Sequence, residues 1–235
     1  MKGGTLRLAR GRHQLPSLER TLTSARELGL ADQYVALDAA ETAARVRVTN
    51  ALAAIASSHG ASIHPGRLVR GLARAVERRG ATIYEQTPVT DYVSGSAPRL
   101  ITPYGDVRAG TIVLAGEAYL SQLHRLRRAL VPIYSLIVLS NPLDAEQWER
   151  IGWRHRECVS SSRYTVDYLN RTADGRILFG GRGAPYQFGS KISDEMDRHP
   201  ATHAMLRQHA VSWFPLLEAV GFSHAWGGPL GAPRD

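Results

Sequence analysis

The chain of 235 residues contains one cysteine, Cys158, and two lysines, Lys2 and Lys191. A single cysteine excludes an internal disulfide framework and suits a reducing compartment, which points to the cytoplasm. No run of eighteen apolar residues occurs, so the pattern argues against a membrane-spanning helix. The opening Met1-Lys2-Gly3-Gly4-Thr5 lacks the apolar centre of a secretory signal. Acidic side chains are outnumbered, 21 to 29 basic ones, for a net charge of +8. Such an excess raises the question of a polyanion partner. The basic charge is almost all arginine, and it is scattered apart from Arg78-Arg79 and Arg125, Arg127 and Arg128. A nucleic acid is therefore not the expected partner. Internal repeats and low-complexity tracts are also absent. A hydrophobic content of 43% with 21% charged residues is that of an ordinary globular protein with a sizeable core.

What is present is a succession of amphipathic segments. Ser17 to Leu28 predicts a helix closed by Gly29, with Leu18, Leu22, Ala25 and Leu28 on one side. Asp38 and Glu41 have the spacing of a capping box ahead of a second, short helix. Residues 51–62 are small and polar, as in a connection. His64-Pro65-Gly66 opens a helix whose Leu68, Val69, Leu72, Ala73 and Val76 recur three or four apart, predicting a buried face. Gly80 closes it behind Arg78 and Arg79, where cations suit the negative end of the helix dipole. Ala81–Glu85 reads as a strand, followed by Thr87-Pro88-Val89 and an extended run to Val93. Leu100–Thr102 and Val107–Ala109 flank a turn at Tyr104-Gly105-Asp106. Thr111–Leu114 predicts a strand running into Ala115-Gly116, and Leu72 and Val76 are expected to be buried against it.

Further along, Leu120–Leu130 is basic and leads into Val131–Leu139, a continuous apolar run expected to be buried on both faces. Arg163–Arg171 and Arg176–Gly181 predict a hairpin about Ala173-Asp174-Gly175. Pro200–Phe214 predicts a helix. The elements from residue 64 to 119, then Tyr168–Arg182, Trp213-Phe214-Pro215-Leu216 and His224-Ala225-Trp226-Gly227-Gly228, stand in an order that resembles the FAD-dependent oxidoreductases of the D-amino-acid oxidase, glycine oxidase and sarcosine oxidase type. Within that family they are most similar to the amine-oxidising branch related to gamma-glutamylputrescine oxidase.

The resemblance implies an α+β fold, with a mixed-sheet substrate domain joined to an incomplete α/β FAD-binding domain of Rossmann-like order. It divides the chain into residues 1–63, a helical and connecting part of the substrate region; 64–119, a partial FAD-binding domain; 120–225, the substrate domain; and 226–235, the start of the return to the FAD domain. It implies FAD as cofactor and a small-molecule amine as substrate, oxidised at its C–N bond by hydride transfer to the flavin. Val89, Ala115 and Gly116 would approach the cofactor through backbone groups, and Tyr168, Arg171, Arg182 and Trp226 would line the substrate pocket. No catalytic side chain is singled out, because this chemistry needs placement more than a fixed triad. Relatives that take amino acids place an arginine soon after the tryptophan-glycine. Here Gly228-Pro229-Leu230 follows, which favours an amine without a carboxylate near the reacting carbon.

Two features depart from the family. The G-x-G-x-x-G turn that receives a dinucleotide pyrophosphate is missing, and so is the glycine-rich segment expected after Arg234-Asp235. Gly180-Gly181-Arg182-Gly183 follows a strand, but the proline and aromatic residues behind it cannot open an amphipathic helix, so a strand end and loop is the favoured reading. The chain thus reads as an internal piece of a longer enzyme, inactive alone or completed by a complementary chain. The alternative is a non-catalytic binding or scaffold module derived from the same fold. His199 and His203 imitate a zinc-helix spacing, yet Pro200 puts His199 outside the helix, so no metal site is expected.

Overall fold

The computed structural model describes residues 2–234, which fall into two compact units. The first comprises residues up to Ser62, Tyr134–Pro185 and Asp194–Gly228; the second comprises Ile63–Ile133, Tyr186–Ser193 and the residues from Pro229. Residues 120–133 and 186–193, expected within the substrate domain, group with the second unit.

An eight-stranded mixed sheet organises the first unit, although residues 130–133 and 229–233 of its strands group with the second. Its strands are β1 (Thr5–Ala9), β2 (Val35–Leu37), β3 (Ala53–Ser57), β7 (Leu130–Ser140), β8 (Cys158–Ser161), β9 (Asp167–Arg171), β10 (Ile177–Arg182) and β11 (Phe222–Pro233). In space the order is β11-β7-β10-β9-β8-β1-β3-β2. The β1–β8 pair is parallel, whereas β1–β3, β2–β3, β7–β10, β8–β9 and β9–β10 are antiparallel. Two strands are illegible in the sequence. β1 lies among the glycines and arginines of the N-terminus, and β3 was expected to be a connection. Both are short runs, β3 of mostly small residues, that become strands because the sheet closes on each side of them.

Alternation along the strands separates two faces. Leu6 and Leu8 (β1), Leu136 and Val138 (β7), Val159 (β8), Leu169 (β9), and Ile177 and Phe179 (β10) point to one side and are buried. Helices α4 (Ala145–Ile151), α5 (Asp194–Asp197), α6 (Pro200–Trp213) and α7 (Leu217–Val220) bring Trp148, Ile151, Met196, Leu206, Ala210, Trp213 and Leu217 to the same cluster. The Trp213 indole meets Phe179 edge-on at 5.9 Å between centroids, and Arg10 lies over its ring at 4.7 Å. Arg10 also donates to the carbonyls of Thr49 and Ser212, tying the end of β1 to α6. Full burial of side chains this large contributes roughly 1.5–3 kcal/mol each, which makes this face the main source of stability.

On the opposite face, helix α1 (Leu15–Glu27) covers only the β1–β3 end, through Leu18 packed on Ala9 and Ile55. Leu28, expected on the buried side of α1, is exposed. Over the remaining strands this second face is half-exposed. β7 therefore alternates regularly between buried and half-buried positions from Pro132 onward, and its continuous apolar run is not buried on both sides as expected. The capping box of helix α2 (Ala39–Arg45) is complete, with Glu41 N–H donating to Asp38 at 2.8 Å and Asp38 N–H to Glu41 at 2.9 Å. The β9–β10 hairpin turns at Gly175, whose φ of +77° suits a residue without Cβ. β10 runs through Gly180 and Gly181 to Arg182 as a strand end, with no phosphate-binding helix behind it.

The second unit holds helix α3 (Pro65–Glu77) and a three-stranded antiparallel sheet of β4 (Asp91–Val93), β5 (Arg99–Thr102) and β6 (Gly105–Arg108). Arg125 secures β4, lying 3.6 Å from Asp91 and over the Tyr92 ring. Here the expectations fail in an instructive way. None of the residues of α3 is buried; Leu72 is 55% and Val76 45% exposed. Residues 81–85 and 111–114 run between named elements without joining a ladder among the described residues. A strand exists only through its neighbours' hydrogen bonds, and a helix face is buried only if a sheet offers itself. The pattern of α3 is right for packing, but this polypeptide leaves its apolar side open.

Candidate functional site

The half-exposed face of the large sheet collects three of the four residues expected to line a substrate pocket. Tyr168 of β9 stands directly opposite Gly180 of β10, and directly paired residues share a face. Arg182 lies two residues beyond Gly180 and opposite Ser135 of β7, so it points the same way. On β11, Ala225 packs against the buried core, and a Cβ on Gly227 would approach Leu136 and the Asp197 carbonyl. Trp226 between them faces the open side, 39% exposed. Its carbonyl is held by His203 Nε2 at 3.1 Å, a contact from the buried helix α6 that fixes the strand under the indole.

Arg171 is different. Three residues from Tyr168, it projects to the helix-covered face, where its guanidinium lies 3.9 Å from the centre of the Trp148 ring and donates to the Trp153 carbonyl at 2.9 Å. Burial lowers its pKa, and Arg156 lowers it further. These contacts tie β9 to the α4 region, and the sheet separates Arg171 from the other three. The strand parity needed to see this is present in the sequence, but the end of β9 that fixes it is not.

Around Tyr168 the open face offers hydroxyl, amide and guanidinium groups: Ser135, Asn170, Ser160 and Arg182. Sequence reasoning missed Ser135. Its Oγ lies 3.1 Å from the Tyr168 hydroxyl, and only the strand order β7-β10-β9 brings the two together. Cys158 is half-buried, with its Sγ 3.4 Å from Ser62 Oγ. His199 caps α6, its Nδ1 receiving the Thr202 N–H at 3.3 Å.

In the second unit Val89, 37% exposed, precedes β4, and no hydrogen bond involves its peptide N–H or C=O among the described residues. Ala115 and Gly116 enter a short 3-10 helix, Glu117–Gln122. A Cβ on Gly116 would come within 2.9 Å of Leu120, so only a residue without a side chain is accommodated there without a shift. Glu117, with φ of +50°, takes hydrogen bonds from the Ala118 and Gly231 N–H groups. It pins this turn to the final segment of the chain, another contact not legible beforehand. These positions fit the approach of a cofactor by backbone; nothing among the described residues cradles a pyrophosphate.

A mixed sheet with one helix-packed face and one half-exposed face defines a mixed α/β class. The comparisons then fix the family. The family model for FAD-dependent oxidoreductases, the D-amino-acid oxidase type, matches residues 1–235, and the chain belongs to that family, whose cofactor is FAD. A probable oxidoreductase OrdL of Rhizobium meliloti is 30% identical over 197 residues, covering 83% of this chain and 43% of its own length. Gamma-glutamylputrescine oxidoreductase of Escherichia coli is 28% identical over 228 residues, covering 96% of this chain and 51% of its own length. Glycine oxidase from Geobacillus kaustophilus superposes with a TM-score of 0.80 at 20% identity, over all of this chain and 60% of that protein. The chain thus spans about half the length of these curated relatives. No helix among the described residues is long and apolar enough to cross a membrane.

Proposed function

We propose that the protein oxidises a small amine at its C–N bond, with the open face of the large sheet as the substrate side and the second unit as part of the FAD-binding side. The observation that carries this reading is the convergence of Tyr168, Arg182 and Trp226 on one accessible face, within a chain of an FAD-dependent family. When bound, FAD supplies the hydride acceptor. The chain's own residues do the rest. Trp226 and the Tyr168 ring offer flat apolar walls for an aliphatic chain, and Arg182 orients a polar or anionic end remote from the reacting carbon. Val89 holds the adenine end through its peptide groups, and Ala115 and Gly116 let the backbone come close. Arg171 we assign to the fold rather than the pocket. The gamma-glutamylputrescine enzyme among the relatives supports an amine without an adjacent carboxylate, as does the lack of an arginine after Trp226-Gly227. The single cysteine supports a cytoplasmic setting.

We further propose that the flavin site is completed by polypeptide beyond these 235 residues, either flanking segments or a complementary chain. The open face of α3 and the absence of a glycine turn support this. Losing the pyrophosphate contacts removes several charge-assisted hydrogen bonds of roughly 1.5–3 kcal/mol each, against about 8 kcal/mol for a micromolar complex. The 235-residue chain mixed with FAD should therefore bind it weakly and turn over no amine. Co-expression with the adjoining coding segments should give a yellow protein that reduces a dye with small primary or secondary amines. Turnover by the chain alone would refute the completion proposal. A completed protein that binds no FAD would favour the scaffold reading instead. Val89→Pro, which deletes a peptide donor, should weaken FAD binding in the completed protein, as read by flavin fluorescence; unchanged affinity removes Val89 from the site.

A further inference from the structure

Gly180 belongs to the open face, yet it is buried. The reason is Tyr168. A Cβ built on Gly180 would fall within the Tyr168 ring, so the ring must lie flat across the backbone of β10 instead of standing off the sheet. Lying flat, it spans from β9 over β10 and delivers its hydroxyl to β7, where Ser135 Oγ waits at 3.1 Å. Ser135 stands opposite Arg182, the next open-face position along β10 from Gly180. A tyrosine fixed only at its Cβ has two free torsions; this one is fixed at both ends. The phenol offers one donor and two acceptor positions. Ser135 engages one of them, leaving the others and the exposed side of the ring for a ligand.

The geometry points to Gly180 and Ser135 as positioning residues for Tyr168, which together make its ring a rigid floor for a slender aliphatic amine on the open face. This rests on the amine-oxidation reading above. Any side chain at position 180 would lift the ring and make the pocket shallower. A hydroxyl at position 135 keeps the ring from rotating into the space where the methylene chain of a ligand would rest. The ligand class follows from the shape, a flat ring face with a fixed polar tip: an unbranched chain carrying one polar end.

The clasp and its role can be tested separately. In the 235-residue chain labelled with ¹³Cζ-tyrosine, the Tyr168 signal among the nine tyrosines is the one lost in Tyr168→Phe. Ser135→Ala should shift that signal and leave the others in place, and Ser135→Thr should restore it. A Tyr168 signal indifferent to Ser135→Ala overturns the clasp. In the completed, flavin-loaded enzyme with butylamine as probe, Ser135→Ala should raise KM about three- to tenfold, the size of one net hydrogen bond, with kcat within twofold. Ser135→Thr should bring KM back, and Tyr168→Phe combined with Ser135→Ala should do no more harm than Tyr168→Phe alone. An unchanged KM in a Ser135→Ala enzyme whose tyrosine signal has moved overturns the substrate role. A parent enzyme that oxidises no amine overturns the amine reading and the ligand class with it, while the tyrosine signal still judges the clasp.

Discussion

Gly180 and Gly181 do opposite jobs with the same missing atom. The first makes room on the open face for Tyr168, and the second lets Leu206 of α6 press onto the buried face, where a Cβ would come within 2.9 Å of the leucine methyl and 3.3 Å of the Val166 carbonyl. Gly181→Ala should therefore cost about 1–3 kcal/mol, the usual penalty for overfilling a packed site, measured by urea denaturation. A neutral result would mean α6 can slide. His209 gives a second prediction at this scale. Burial holds its pKa below the ordinary imidazole value, and nearby Arg163 and Arg10 lower it further while Asp167 partly opposes them. The unfolded chain thus takes up this proton first, near pH 6.5. The contribution of His209 to stability is complete above that pH and is lost as pH falls toward the depressed folded value. Unfolding midpoints of the parent and of His209→Gln should converge or cross as pH drops below about 6.5, and parallel curves would contradict the shift.

At the scale of elements, α2 and α6 behave as their sequences ask, because their caps agree with a partner surface that exists, whereas α1 starts without a side-chain cap and leaves Leu28 exposed. Helix α3 has the clearest amphipathic pattern and no buried residue. Leu72→Ala in the 235-residue chain should change stability by less than about 0.5 kcal/mol, as for an ordinary surface position. In a completed enzyme where α3 is covered, the same change should cost roughly 2–5 kcal/mol. Thermal or urea unfolding of the pair in both contexts separates the cases, and a large loss in the shorter chain would show the face already packed. The strand segments 81–85 and 111–114 follow the same logic, since a strand's hydrogen bonds belong half to its neighbour.

For the whole molecule, one sheet does two things. Its helix-covered face, with Trp153, Trp213, Phe179 and Phe214 fully buried, supplies the stability. Its other face is spared that duty and is free to carry chemistry. The same division explains why candidate residues on one hairpin part company: Tyr168 joins the open face and Arg171 the packed one. Opening the second face has a thermodynamic cost in the exposed Trp226 and half-buried Leu178 and Ile137 surface, which suits a surface that receives a ligand.

By itself the sequence determined helices α1, α2, α3 and α6, the β9–β10 hairpin with its glycine turn, and the family, because each rests on local periodicity or a contiguous motif. It did not determine that residues 5–9 and 53–57 are strands, that Ser135 meets Tyr168, that Arg171 points away, or that α3 stays uncovered. Those depend on which strands become neighbours and on what polypeptide is present to cover a face. Such pairings join residues 33 to 153 positions apart, as Ser135 to Tyr168 or Thr5 to Cys158, and no local pattern records them. Only the tertiary structure decides them, because hydrogen bonds and burial are settled by the partner as much as by the residue itself.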